Sequence, residues 1–305
     1  MRTTLVEELL LCASKDKNIY LLTGDLGFSV FEPFIEKFPT QYINVGAAEQ
    51  NMAGIAAGLA LSGKTVLIYS IANFPTLRCL EQIRDDICYH QANVKIISVG
   101  CGYSYGLQGY THFGVEDISI LRTLPNLKIL SPADAAETQL AFRYLINEKG
   151  PVYMRLGASK EKTLHEKPLA DKNLSSMIPI IQNNDKTIIL SVGTITSFLF
   201  EKIIENKLLC DLWSVPIVSP LDENKLANII KSAEKVITVE EHQLAGGFGS
   251  LVMETLLKLK NNGMIKIFPE FHRIGVDNVP MDDIGNQDYL RNKINFSALF
   301  GNEKR

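Results

Sequence analysis

The sequence predicts an α/β protein made of two doubly wound domains, the first with a mostly parallel sheet and the second smaller. Three observations carry that expectation. The hydrophobic period switches repeatedly between helix-like and strand-like from residue 1 to about 157, the alternation that builds parallel sheets covered by helices. Between Ala158 and Asn184 the periodicity fades and Lys, Glu, Pro, Asn and Asp dominate, and beyond it a second alternating run begins. At 305 residues and 46% hydrophobic content, the chain can bury two cores. We therefore expect domains at 1–158 and 185–305, joined by a connection at 159–184.

In the first domain the period predicts a helix from Thr3 to Ser14, a strand from Ile19 to Thr23, a helix from Val30 to Phe38 and a strand from Tyr42 to Val45. An Ala/Gly helix leads to a strand at Thr65 to Tyr69, then a long helix at Thr76 to Gln91 and a strand at Val94 to Val99. After a glycine-rich loop, strands at Leu127 to Leu130 and Val152 to Arg155 bracket a helix from Asp134 to Asn147. Ser131-Pro132-Ala133-Asp134 is its start signal. The second domain reads as strands at Thr187 to Val192, Cys210 to Val215, Lys235 to Val239 and Ile265 to Phe268. Gly193-Thr194 opens one helix, Gly246-Gly247-Phe248-Gly249-Ser250 opens another that runs to Lys260, and a last helix lies near Gln287 to Lys293.

The formal charge is -3, with Lys and Arg scattered singly, which offers neither a nucleic-acid stripe nor a polybasic membrane patch. No apolar run approaches the roughly 20 residues of a bilayer span, and Glu7 and Glu8 stand where a signal peptide needs an apolar core, so a cytoplasmic location is expected. Cys12, Cys79, Cys88, Cys101 and Cys210 are odd in number and lack metal-type spacing. They read as small buried hydrophobes.

The most telling segment is Tyr42-Ile43-Asn44-Val45-Gly46-Ala47-Ala48-Glu49-Gln50-Asn51. A β-rich run meets a glycine and then the small-residue helix Ala53-Gly54-Ile55-Ala56-Ala57-Gly58-Leu59-Ala60. Glu49 thus stands at a strand-to-helix turn, on the edge of the sheet where open α/β folds bind ligands. The helix dipole also favours a carboxylate there by up to about 1 kcal/mol, so position alone assigns it no chemistry.

This segment resembles the Gly-x-x-Glu-Gln stretch of the transketolase and deoxyxylulose-phosphate synthase family, whose glutamate activates thiamine diphosphate. Further matches follow in order and spacing from about Leu21 to about Ile294. Thr23-Gly24-Asp25-Leu26 is similar to the family's Ser-Ala-Asp-Leu, and Tyr69-Ser70-Ile71-Ala72-Asn73-Phe74 to the segment that lays an aromatic ring on the aminopyrimidine. Placing that ring on Phe74 takes a one-residue shift from Pro75 relative to the Gln82-Ile83 helix. Gln108-Gly109-Tyr110-Thr111-His112 resembles the Asp-Gly-x-Thr-His segment, and Glu240-Glu241-His242-Gln243-Leu244-Ala245-Gly246-Gly247-Phe248-Gly249-Ser250 the C-terminal domain signature. The resemblance implies that Asp25, Glu49, Tyr69 and Phe74 face the cofactor. Gln108, His112, Tyr103 and Arg155 would face the substrate, with Glu49 and His112 catalytic.

The phosphate side departs from the family. Ala158, in Arg155-Leu156-Gly157-Ala158-Ser159-Lys160, stands where relatives hold a substrate phosphate with arginine, and Gly100-Cys101-Gly102-Tyr103-Ser104-Tyr105 lacks the histidine or arginine found there. Alanine supplies neither the charge nor the planar donors of that arginine. The substrate's far end is therefore expected to be neutral, smaller, or held by Arg155, Lys160, Arg78 or the two tyrosines. Gln108 in place of aspartate points to a different hydroxyl stereochemistry.

The superfamily holds the diphosphate through a metal bound by Gly-Asp-Gly and a later Asn. Gly24-Asp25-Leu26 with Asn51 lacks the second glycine and coincides with the pyrimidine-side motif, so no metal site is expected in this chain. The resemblance therefore implies the C-terminal subunit of a split transketolase that moves a two-carbon ketol unit from a ketose to an aldose. An N-terminal diphosphate-binding subunit would hold thiamine diphosphate and Mg²⁺ in an α2β2 assembly. The alternatives are a decarboxylating deoxyxylulose-phosphate-synthase-like enzyme, a 2-oxo acid dehydrogenase beta subunit, or a non-catalytic regulatory subunit.

Overall fold

The computed structural model describes residues 1–158, 161–165, 169, 174–277 and 282–300. Lys160, one of the cations weighed above, lies outside them. From the N-terminus, α1 (Arg2–Ala13) is followed by β1 (Ile19–Thr23), α2 (Glu32–Lys37), β2 (Tyr42–Asn44), α3 (Glu49–Leu61) and β3 (Thr65–Ile71). Then come α4 (Leu80–Gln82), β4 (Val94–Val99), α5 (Asp117–Leu121), β5 (Lys128–Leu130), α6 (Ala135–Asn147) and β6 (Val152–Leu156). The rest comprises β7 (Ile178–Ile181), β8 (Thr187–Val192), α7 (Ile195–Glu205), β9 (Asp211–Ser214), β10 (Ile217–Ser219), α8 (Glu223–Ile229), β11 (Lys235–Gln243), α9 (Phe248–Asn261), β12 (Glu270–Val276) and α10 (Gln287–Arg291).

Among the described residues the strands form two sheets, ordered β10-β5-β6-β4-β3-β1-β2 and β12-β11-β8-β9-β7. Pairing is parallel except for β10 on β5 and β7 on β9, which are antiparallel edge pairs. Strands β4 and β6 are buried at every residue, as central strands covered on both faces must be. Alternation along β3 sorts its side chains. Val66 and Ile68 join Met52, Ala53 and Ala56 of α3, whereas Leu67 and Tyr69 join Phe31, Phe34 and the apolar residues of α1 on the other face.

Helix α6 opens at the expected signal. Asp134 Oδ1 accepts the Glu137 amide at 3.0 Å while Glu137 Oε2 accepts that of Ala133 at 2.7 Å, a reciprocal cap. Four of the cysteines are buried and Cys12 is half-buried; burial pushes the Cys79 and Cys88 thiols up to about 12. No helix of the described residues is long and apolar enough to cross a membrane.

The structure corrects several expected elements. The last strand of the second sheet is β12, at Glu270–Val276, not Ile265 to Phe268. Pro269 has no amide to give the ladder, so pairing with β11 begins after it and leaves Ile267 exposed. The long helix at Thr76 to Gln91 is broken into a 3-10 turn at Leu77–Cys79, the single turn α4, and a π-helical stretch at Ile83–Tyr89. Strand β7 lies inside the segment read as a connection, and β10 leaves the second half of the chain to extend the first sheet.

Residues 161–165 strap across the start of α6. Asp134 Oδ2 accepts the Leu164 and His165 amides at 3.0 and 2.8 Å, and His165 Nε2 meets the fully buried Glu137 carboxylate at 3.0 Å. Burial alone would lower the imidazole's pKa, but the hydrogen bond and charge of Glu137 outweigh it and the net direction is upward. A raised folded value makes this contact fully stabilising below the unfolded pKa near 6.5, and the contribution fades as pH rises through the folded value. His165→Ala is therefore expected to cost roughly 1–2 kcal/mol at about pH 5.5 and less at about pH 8.5. Urea denaturation at the two pH values checks this, and an equal loss at both would refute the charged latch.

Candidate active site

Parallel pairing of β1, β2, β3 and β4 puts their carboxyl ends on one edge of the first sheet. The segments that leave this edge carry Gly24-Asp25, Gly46–Glu49, Ala72–Arg78 and Gly100–Gly114. Asp25 sits at φ 57, a left-handed conformation that aspartate tolerates. Asn44 Oδ1 holds it there by accepting the amides of Asp25 and Gly46 at 2.9 and 3.0 Å. Gly24 packs closely here: an added Cβ would lie 3.3 Å from the Gly46 carbonyl and 3.5 Å from Glu49 Cγ.

Glu49 is the first residue of α3 and is 3% exposed. Its Oε2 accepts from Arg78 Nη1 at 2.7 Å, and Ser70 Oγ lies 3.4 Å from Oε1. The Arg78 guanidinium also lies over the Phe74 ring, 4.4 Å from its centroid, and the Phe74 and His112 rings meet edge to face at 5.4 Å. Asn73 brings these last two together, since its Nδ2 donates to the Phe113 carbonyl at 2.6 Å and so ties one loop to the other. Thr111 Oγ1 bonds His112 Nδ1 at 2.9 Å, so Nε2 is the nitrogen this contact leaves available. Gln108 is exposed one turn earlier in the same loop.

Glu49, Phe74 and His112 thus form one group linked through Arg78, with Asp25 beside it through Gly24. Three other expected contacts are relocated. Tyr69 is 2% exposed and stacks edge to face on Phe31 at 4.8 Å, on the opposite face of β3 from Glu49. Its neighbour Ser70 reaches the carboxylate instead, and the period-2 rule applied from Val66 and Ile68 is the signal that would have found it. Tyr103 is fully buried against Phe113 in the core of the second domain, its hydroxyl without a hydrogen-bond partner among the described residues. Arg155 is 2% exposed: Nε donates to Asp117 at 2.9 Å and Nη2 to the Gly114 carbonyl at 2.8 Å, so its donors brace the loop from below.

The C-terminal signature holds the two sheets together. Glu241, 3% exposed, accepts the Tyr103 amide at 2.7 Å and both Nε and Nη2 of Arg291 at 2.8 and 2.6 Å. Gly102, at φ 60, has no room for a Cβ, which would lie 2.5 Å from the Glu241 carboxyl carbon. Glu240 accepts the Phe248 and Gly249 amides at the start of α9. Burial pushes His242 down to about 4, so it is neutral, with Nδ1 donating to the Gln243 carbonyl and Nε2 accepting from the Ser119 amide.

The residues gathered here suit a planar, nitrogen-bearing ring. The face of Phe74 and Oε2 of Glu49 already take a planar N–H donor together, the Arg78 guanidinium. Among the described residues, no three His, Cys, Asp or Glu side chains stand close enough to hold a metal ion.

Residues 1–161 match the family model described as transketolase, pyrimidine binding domain, and residues 177–281 match that of the transketolase C-terminal domain. One of the subunits of an apulose-4-phosphate transketolase from Phocaeicola vulgatus is 36% identical, the match covering 84% of this chain and 83% of that one. A 6-deoxy-6-sulfo-D-fructose transketolase subunit from Clostridium sp. is 30% identical, over 98% and 91% of the two chains. A solved split gene transketolase, in an inactive beta4 tetramer, superposes with a TM-score of 0.80 at 29% identity, covering 95% of this chain and 92% of that one.

Proposed function

The chain belongs to the transketolase family, and on that premise we propose that it supplies the pyrimidine-side half of a split, thiamine diphosphate-dependent transketolase moving a two-carbon ketol unit from a ketose to an aldose. The observation that carries this reading is the run of contacts from Glu49 through Arg78 and Phe74 to His112 at one strand-end edge of the first sheet. When bound, thiamine diphosphate supplies the carbanion equivalent that such a transfer needs. Glu49 would hold the proton at N1′ of the aminopyrimidine and Phe74 would take the ring's face. His112 Nε2 would take and return a proton at a sugar hydroxyl, a task suited to an imidazole. Gln108 can both donate to and accept from a neighbouring hydroxyl, and Asp25 would shape the cleft wall.

The diphosphate and its Mg²⁺ would be held by an N-terminal partner subunit, two of each chain forming the assembly. Residues 1–158 would serve as the pyrimidine domain and 185–305 as the C-terminal domain. The sugar's far end would be gripped by groups other than the two family positions, since Ala158 is buried and Arg155 is committed to Asp117. The test is titration of thiamine diphosphate and Mg²⁺ into this chain, into a candidate partner, and into their mixture. Tight binding by the mixture alone supports the reading; binding by this chain alone, or by none, overturns it.

Helix α3 offers a close-contact face for the assembly. At Gly54 and Gly58 an added Cβ meets nothing within 4 Å, and Asn51, Gly58 and Leu61 are exposed. Gly58→Leu is expected to leave the chain as stable as before or up to about 1 kcal/mol more so, yet to weaken association. Thermal melts beside light scattering check both halves, and unchanged assembly would remove α3 from the interface.

A further inference from the structure

Within the chain alone, Arg78 makes the two contacts that the proposed function gives to the cofactor's aminopyrimidine. Its Cζ lies 4.4 Å from the centroid of the Phe74 ring and its Nη1 donates to Glu49 Oε2 at 2.7 Å. Glu49 is 3% exposed while the Arg78 side chain is 48% exposed, so the cation covers the carboxylate from the solvent side. The other carboxylate oxygen faces the Ser70 hydroxyl on the buried side. A guanidinium is planar, carries its N–H donors in that plane and stacks through its face, as an aminopyrimidine does. Two planar groups cannot share one ring face and one carboxylate lone pair.

We infer that Arg78 is a positioning residue that stands in for the aminopyrimidine, holding Glu49 and Phe74 in their working places before the cofactor binds and swinging into solvent as it does. This rests on reading the cleft as a pyrimidine site. Arg78 lies in the short 3-10 turn Leu77–Cys79, and turning its half-exposed side chain outward gives up its contacts to Glu49 and Phe74, the two that the aminopyrimidine would replace. The held state lowers apparent cofactor affinity by the fraction of molecules that are open, and a stacked, paired guanidinium that leaves about one in ten open lowers it about tenfold. The same contact keeps Glu49 from lying buried without a partner.

The test is calorimetric titration of thiamine diphosphate with Mg²⁺ into the assembled two-subunit enzyme, with stopped-flow association alongside. Wild type, Arg78→Ala, Arg78→Lys and the control Arg84→Gln are compared, Arg84 being an exposed arginine paired with Asp85 on the same segment. Arg78→Ala is expected to bind about tenfold more tightly and associate faster by a similar factor. Arg78→Lys, which keeps the charge without the planar stack, should fall between it and wild type, and Arg84→Gln should match wild type. Equal or weaker binding by Arg78→Ala overturns the stand-in role while leaving the pyrimidine site intact. Binding by neither wild type nor variants overturns the site and the latch together.

Discussion

Glu49→Gln in the assembled enzyme is expected to lower kcat for ketol transfer by about 10²–10⁴-fold while cofactor affinity changes far less. The amide keeps the size of the carboxylate, and with it the fit against Gly24 and Ser70. What it loses is the capacity to hold a proton at a neighbouring ring nitrogen. The Arg78 contact also loses its charge, which loosens the resting state of the cleft and works against any loss of binding. A steady-state assay paired with calorimetry separates the two terms: rate falls and Kd stays within a few-fold. Retention of the wild-type rate within threefold would remove Glu49 from the chemistry and bring the regulatory-subunit alternative forward. Glu49→Ala should lose the same rate and also weaken binding, because it opens a void beside Gly24 and removes the group that would meet N1′ of the aminopyrimidine.

Much of this was legible in the sequence, and the parts that were not share a physical cause. The strand-to-helix turn at Val45–Glu49 and the cap at Asp134 are local signals, set by residues a few positions apart, and both appear where expected. The Phe74 and His112 loops are also local, although the Asn73 bridge that joins them spans 40 residues and leaves no periodic trace. Tyr69 matches the family segment yet faces away from Glu49, because alternation along β3 sends neighbouring side chains to opposite faces and a matching run carries no face of its own. Strand β10 was missed because three residues carry too little pattern to register, and its partner β5 lies 87 positions away at Ile217 and Leu130. Arg155 looked available because nothing in its own segment shows that Asp117, 38 residues earlier, folds beneath it.

That last residue yields the largest expected effect on stability. Arg155 and Asp117 are each 2% exposed, and Asp117 also accepts the Tyr153 hydroxyl at 2.5 Å while His242 lies 3.7 Å from its other oxygen. His242 is neutral here, so the guanidinium is the charge that balances the buried carboxylate. Arg155→Ala should cost about 3–5 kcal/mol, the loss typical of a buried charge left unpaired, and lower Tm by roughly 10 °C in a chain of this size. Asp117→Leu alone strands the guanidinium and should cost a similar amount. The double variant Arg155→Met with Asp117→Leu removes both charges and should recover most of the loss, since a buried pair replaced by apolar groups is often neutral. If Arg155 instead held the substrate, Arg155→Ala would raise KM and leave Tm nearly unchanged. The two roles therefore differ in which quantity moves. The expected effect on catalysis is indirect, because Arg155 Nη2 holds the Gly114 carbonyl and Gly114 follows the loop that presents His112 and Phe113. Protein that remains folded below the lowered Tm should show reduced kcat with KM little altered, as a loosened loop misplaces His112 without removing a substrate contact.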